Sequence, residues 1–127
     1  MTRPEDSTMT TPINLTENES IALNMLAYNL YNPANGGRPE NYNDIGDVWT
    51  LALDDTTSTV TIKGRTLSGT ISSLVSKGLV STYDDTRTKA ERRGEPSAST
   101  TGLTERGFDV WRTHVADRFA PVVDEVR

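Results

Sequence analysis

The stretch RTLSGTISSLVSKGLV (65–80) constrains this chain more than any other. At 100° per residue, Leu67, Ile71, Leu74 and Val75 fall on one helical face. Arg65, Gly69, Ser72, Ser73 and Ser76 fall on the opposite face. Gly78 stands where a left-handed residue closes a helix, and Lys77 sits in the last turn. Leu79 and Val80 then open an extended run, LVSTYD. The segment predicts a helix over 66–77 that feeds straight into a strand.

The flanking sequence supplies the remaining elements. Residues 1–14 are polar and Thr-rich, bury too little apolar area to offset ordering entropy, and read as a disordered tail. Thr16 followed by Glu19 has the spacing of a capping box, and Ala22, Leu26 and Leu30 recur every four residues, predicting a helix over Glu17–Tyr31. Asn32 and Pro33 end it, and 33–43 is loop. In 44–53, Ile45, Val48, Trp49 and Ala52 have helical spacing behind Asp44 as N-cap, which predicts a short second helix with Trp49 in the core. The Thr-rich 54–64 is a loop or a short strand. Residues 85–99 read as a charged loop, and 99–103 return as a second strand, making a hairpin. A last helix starts at Thr104-Glu105 and carries Phe108, Trp111, Val115, Phe119, Val122 and Val126 as one stripe. Pro121 predicts a kink near Phe119–Ala120.

Composition excludes several classes of function. With no cysteine there are no disulfides, thiolate metal sites or cysteine nucleophiles. His114 is the only histidine, so this chain alone builds no multi-histidine metal site; its expected role is structural or exposed. Nucleophile motifs and Gly-rich phosphate loops are missing, and the pairs Asp54-Asp55 and Asp84-Asp85 lie in polar loops. The expectation is a protein that is not an enzyme and uses no cofactor or metal. An acidic N-terminus and the lack of an apolar run of about 18 residues point to a cytoplasmic protein without a membrane partner. At 127 residues, 15–127 reads as one domain. The net charge is -5, unevenly spread: residues 1–60 carry two bases against nine acids, whereas 63–93 carry seven bases against three. That basic window is where phosphate would bind.

The predicted order is helix, helix, helix, strand, charged hairpin tip, strand, helix: a mainly α fold with a small β-hairpin wing, the winged helix-turn-helix layout. Three pieces, TISSLVSKGLV (70–80), the wing stretch 84–94 with Asp84-Asp85 and ERRG, and LTERG (103–107), occur in an order that resembles the MarR (multiple-antibiotic-resistance regulator) family and its winged-helix relatives. The resemblance spans roughly 65–112. Residues 86–91 lie between Asp85 and Arg92-Arg93, which sit closer in the family pattern. The layout and the resemblance imply a regulator of transcription that binds double-stranded DNA. Arg65, Ser68, Gly69, Ser72, Ser73, Ser76 and Lys77 would face the major groove, and Arg87, Lys89, Arg92 and Arg93 would hold the backbone from the wing. The last-helix stripe, Phe108, Trp111, Val115, Phe119 and Val122, is either core or the seam of a homodimer. Solvated polar faces account for the same serines and wing charges. A protein-interaction module, acting through the acidic N-terminal half or the aromatic C-terminal helix, is the alternative function.

Overall fold

The computed structural model describes residues 14–119. The expected N-terminal tail, the Pro121 kink, Val122 and Val126 lie outside these residues, apart from Asn14. The described chain is a mainly α domain with a three-stranded antiparallel sheet of β1 (Val48–Trp49), β2 (Val80–Tyr83) and β3 (Thr100–Leu103), in the order β1-β3-β2.

Helix α1 (Glu17–Ala27) is the centre of the core. Its capping box forms as the sequence predicts: Glu19 N–H donates to Thr16 Oγ1 (3.0 Å), and Thr16 N–H donates to Glu19 Oε1 (2.8 Å). Every residue from Glu19 to Ala27 is buried, so neighbours cover this helix on all sides. It stops at Ala27, four residues short of the expected Tyr31. Two buried asparagines capture the backbone there. Asn29 Nδ2 donates to the Leu26 carbonyl and Asn32 Nδ2 to the Ala27 carbonyl, while Asn29 Oδ1 accepts from Tyr31 N–H. Short polar side chains compete with the helical ladder in this way. Leu30, beyond the stop, is 43% exposed.

Residues 44–53 do not form the expected helix. A 3-10 turn at Tyr42–Asp44 leads to strand β1 (Val48–Trp49), and a second 3-10 turn follows at Thr50–Ala52. Asp44 Oδ2 closes the first turn by accepting from Glu40 and Asn41 N–H instead of capping a helix. Gly46 disfavours a helix interior, while β-branched Val48 and aromatic Trp49 suit a strand once β3 offers a ladder. Val48 is buried, but Trp49 is half exposed rather than core. Loop 54–63 laces onto the end of α1 through an Asn29–Thr56 bridge and a bond from Thr56 Oγ1 to the Met25 carbonyl (2.9 Å).

Helix α2 (Gly64–Ser76) buries Leu67, Thr70, Ile71 and Leu74. Thr70 takes the place expected for Val75, which lies at the margin of the apolar face and is 40% exposed. The helix ends as predicted. Gly78 has φ 76°, Leu79 N–H donates to the Leu74 carbonyl and Gly78 N–H to the Val75 carbonyl, the two bonds of a Schellman motif. Strand β2 (Val80–Tyr83) pairs with β3 (Thr100–Leu103), with Val80 opposite Leu103 and Tyr83 opposite Thr100. The hairpin tip is not all loop: Thr88 and Glu91 form a capping box for a one-turn helix, α3 (Lys89–Arg92).

Thr104 caps α4 (Glu105–Val110), after which the chain passes into a π-helical turn at Trp111–Val115 and a 3-10 turn at Ala116–Arg118. The departure from α geometry therefore begins at Trp111, well before Pro121. Phe108, Trp111 and Val115 lie inside this domain's own core. Trp111 packs edge-on to Tyr28 and against Phe108, and its indole N–H donates to Asn24 Oδ1 (2.9 Å). Phe119 is partly buried against the same cluster.

Gly107 sits against the Leu79 carbonyl so closely that a Cβ would overlap it. Because the obstacle is backbone, a side chain cannot be accommodated by a rotamer change. Gly107→Ala is expected to cost about 1–3 kcal/mol, the usual range for overpacking. Thermal unfolding followed by circular dichroism checks this, and an unchanged midpoint would refute the close packing.

Candidate nucleic-acid interface

The exposed face of α2 follows from where its apolar residues go. With Leu67, Ile71 and Leu74 turned into the core, Arg65, Ser68, Gly69, Ser72 and Ser76 are left exposed. The structure thus brings five of the seven expected helix contacts onto one solvent face. Apart from its chain neighbours and the helix's own backbone, no heavy atom lies within 4 Å of where a Cβ would stand on Gly69, so the helix surface is open there. A shallow, open groove of about 340 Å³ runs between the start of α1 and this helix, lined by Thr16, Asn18, Arg65, Thr66, Gly69 and Ser73.

The other two helix residues are engaged elsewhere. Lys77 Nζ donates to Glu19 Oε1 (2.7 Å) and to the Asn14 carbonyl, and Ser73 Oγ donates to Glu19 Oε2. The Glu19 side chain is 3% exposed, and the Lys77 side chain 36%. One buried carboxylate therefore caps α1 and fastens the last turns of α2 to it. Burial pushes the Glu19 carboxyl up, but the bonds from Lys77, Ser73 and the Thr16 N–H outweigh it and hold the group below its ordinary value. This role of Glu19 was not read from the sequence, which marks only the local capping box; its partners lie 54 and 58 residues away.

The hairpin tip divides its cations in the same manner. Arg87 is clamped by Asp85 through two parallel bonds, Nε to Oδ1 (2.9 Å) and Nη2 to Oδ2 (2.8 Å), and its Nη1 reaches Glu95 (2.9 Å). Asp85 also accepts from Ala98 N–H, and its own N–H donates to Ser99 Oγ. The Arg87 guanidinium and the Ala98 N–H hold the Asp85 carboxyl far below the usual carboxylate range. The clamp ties the two legs of the hairpin together. Lys89 and Arg93 are exposed, while Arg92 is half-buried and touches the Glu95 carbonyl. Among the described residues, Lys89, Arg92 and Arg93 have no ion-pair partner. Overall, 84–95 holds four bases and four acids.

His114 is exposed. Among the described residues there is no group of three or more His, Cys, Asp or Glu side chains able to hold a metal, and no helix is long and apolar enough to cross a membrane. Comparison of the chain with protein-family models, with curated proteins and with solved structures found no match.

Glu19 has a stability consequence with a definite sign. Its folded pKa lies below the unfolded value, so its contribution is present above the unfolded carboxylate pKa, about 4.3, and is lost as pH falls through the folded value. Glu19→Gln keeps the shape but removes the charge from Lys77, and is expected to cost about 1–3 kcal/mol at pH 7. Urea unfolding of both proteins at neutral and acid pH measures this. The difference between them should shrink as pH falls below about 4; a pH-independent difference would show that the carboxylate charge is not what stabilises the contact.

Proposed function

We propose that this chain is a winged-helix DNA-binding protein, with α2 entering the major groove and the β2–β3 hairpin acting as the wing. The observation that carries the reading is the solvent face of α2, built from Arg65, Ser68, Gly69, Ser72 and Ser76, on a helix that runs directly into a hairpin with a cationic tip. Small side chains let a helix approach base edges closely, and Arg65 supplies a donor fork at the helix start. Lys89, Arg92 and Arg93 supply charge for phosphates. The sheet order β1-β3-β2 and the resemblance of 70–80, 84–94 and 103–107 to MarR-type regulators support the same reading. A regulator of transcription is the class of function that this implies.

Two features shape the mechanism. The helix that precedes the recognition helix in helix-turn-helix proteins is reduced here to the 3-10 turn Thr50–Ala52 and loop 53–63. Support for α2 comes instead from Glu19 on α1, through Ser73 and Lys77. Those two residues therefore position the helix in this reading, and Arg87 stiffens the wing. Direct contacts fall to Arg65, Ser68, Gly69, Ser72 and Ser76 on the helix and to Lys89, Arg92 and Arg93 on the wing. Reading paired half-sites would require a second copy; with Phe108, Trp111 and Val115 in the core, such a seam must use other residues.

Fluorescence anisotropy on generic duplex DNA tests the proposal. Affinity should fall steeply between about 50 and 200 mM salt, and Arg92→Ala with Arg93→Ala should flatten the log–log slope by about 2 while weakening all sequences alike. Ser72→Glu, which puts an anion against the groove, should weaken this binding without lowering the melting temperature, because Ser72 is exposed. A salt-independent signal, or full binding by Ser72→Glu, would overturn the reading.

A further inference from the structure

The outer face of the sheet carries a group of side chains with no part in the interface above. Trp49 and Tyr83 both pair with Thr100, one from each side of the central strand. Directly opposed residues in antiparallel strands point the same way, so the two aromatic rings flank Thr100 on one face. The other face of these strands is the core side, with Val48, Val80, Thr101 and Leu103 buried. Trp49 is 49% exposed and Tyr83 62% exposed. Two strand spacings separate their backbones by about 10 Å. Rings rising from those positions can close on one planar group, which needs them about 7–8 Å apart.

The next row on this face is Ser81 opposite Gly102. A Cβ on Gly102 would overlap the Asp47 carboxylate, so the glycine is what lets Asp47 lie over the sheet. The carboxylate is thus one row, about 7 Å, from the aromatic pair and on the same side. Asp47 is exposed and, among the described residues, has no ion-pair partner; Asp84, next after Tyr83, is exposed and unpaired in the same sense. Small residues thus lie between two aromatic positions on one face, with a carboxylate one row away. That combination selects a flat cation. The negative charge disfavours a nucleic-acid backbone.

We propose that this face binds an arginine side chain on an extended basic segment of a protein partner, with the guanidinium between Trp49 and Tyr83 and its fork turned to Asp47. Arginine fits better than lysine because its plane stacks on rings while its edge donates two bonds to a carboxylate. The site is independent of whether α2 binds DNA.

The test uses the full chain and a blocked hexapeptide alternating glycine and arginine, followed by amide and indole NMR. The peptide should shift the Trp49 indole and the Ser81 and Thr100 amides saturably, more strongly than its lysine counterpart. Trp49→Ala and Asp47→Asn should each weaken binding about threefold or more. Asp54→Asn, which removes an exposed acid outside the sheet, should leave binding unchanged. Thr100→Arg should block the position between the two aromatic residues and abolish binding. Unchanged, wild-type affinity in both Trp49→Ala and Asp47→Asn would overturn the proposal in favour of diffuse attraction to an acidic protein. Shifts of the same resonances by oligothymidylate would overturn it in favour of base stacking. Concentration-dependent shifts without peptide, lost in Trp49→Ala, would make the face a contact between copies.

Discussion

The Leu79 carbonyl is the point through which helix, hairpin and final helix are joined. It accepts from Thr104 N–H (3.1 Å), while the neighbouring Gly78 carbonyl accepts from Thr104 Oγ1 (2.8 Å). The same threonine hydroxyl accepts from Gly107 N–H and so starts α4. Gly107 carries no Cβ, which allows α4 to cross directly over the turn. Leu79 N–H, in turn, closes α2 on the Leu74 carbonyl. One residue thus ends α2, begins the β2 edge of the hairpin and seats α4. The angle between the solvent face of α2 and the hairpin is set here by backbone hydrogen bonds, without long side chains to adjust it.

A second anchor acts at the other side of α2. The buried Glu19 carboxylate accepts from Thr16, Ser73 and Lys77. A buried carboxylate is costly unless paired and hydrogen-bonded, and here its bonds come from both helices at once. The cost of leaving it unpaired is what makes the α1–α2 contact specific.

Charge in this protein is divided by burial. Cations beside well-buried carboxylates, Lys77 at Glu19 and Arg87 at Asp85, hold the framework. Other charges stay exposed: Arg65 on α2, Lys89 and Arg93 beside Glu91 and Glu95 on the hairpin tip, and Asp47 over the outer sheet face. The net charge of -5 describes none of these places. A ligand meets the local arrangement of charges, not their sum.

Local chemistry made several elements legible in the sequence. The Thr16–Glu19 capping box and the Gly78 stop depend on residues within a few positions of one another, and both form; the last helix starts after Thr104 as expected, and the extended runs on either side of the hairpin tip become strands by pairing with each other. The exposed face of α2 was equally legible, because helical periodicity assigns faces directly. Long-range pairing decided the rest. Val48-Trp49 has helical spacing with its neighbours, yet β3 arrives from fifty residues away and makes it a strand, turning Trp49 outward. Asn29 and Asn32 stop α1 early because tertiary contacts bury them. Ser73, Lys77 and Arg87 look like surface contacts in the sequence, and only the folded chain brings carboxylates to them. Sequence alone determined the element ends at the Thr16–Glu19 box and the Gly78 stop, while the signals at Asp44 and Asn32-Pro33 were overridden by contacts the sequence does not mark. Which polar groups are free to meet a partner was decided by tertiary structure, since pairing depends on distance in space and not along the chain.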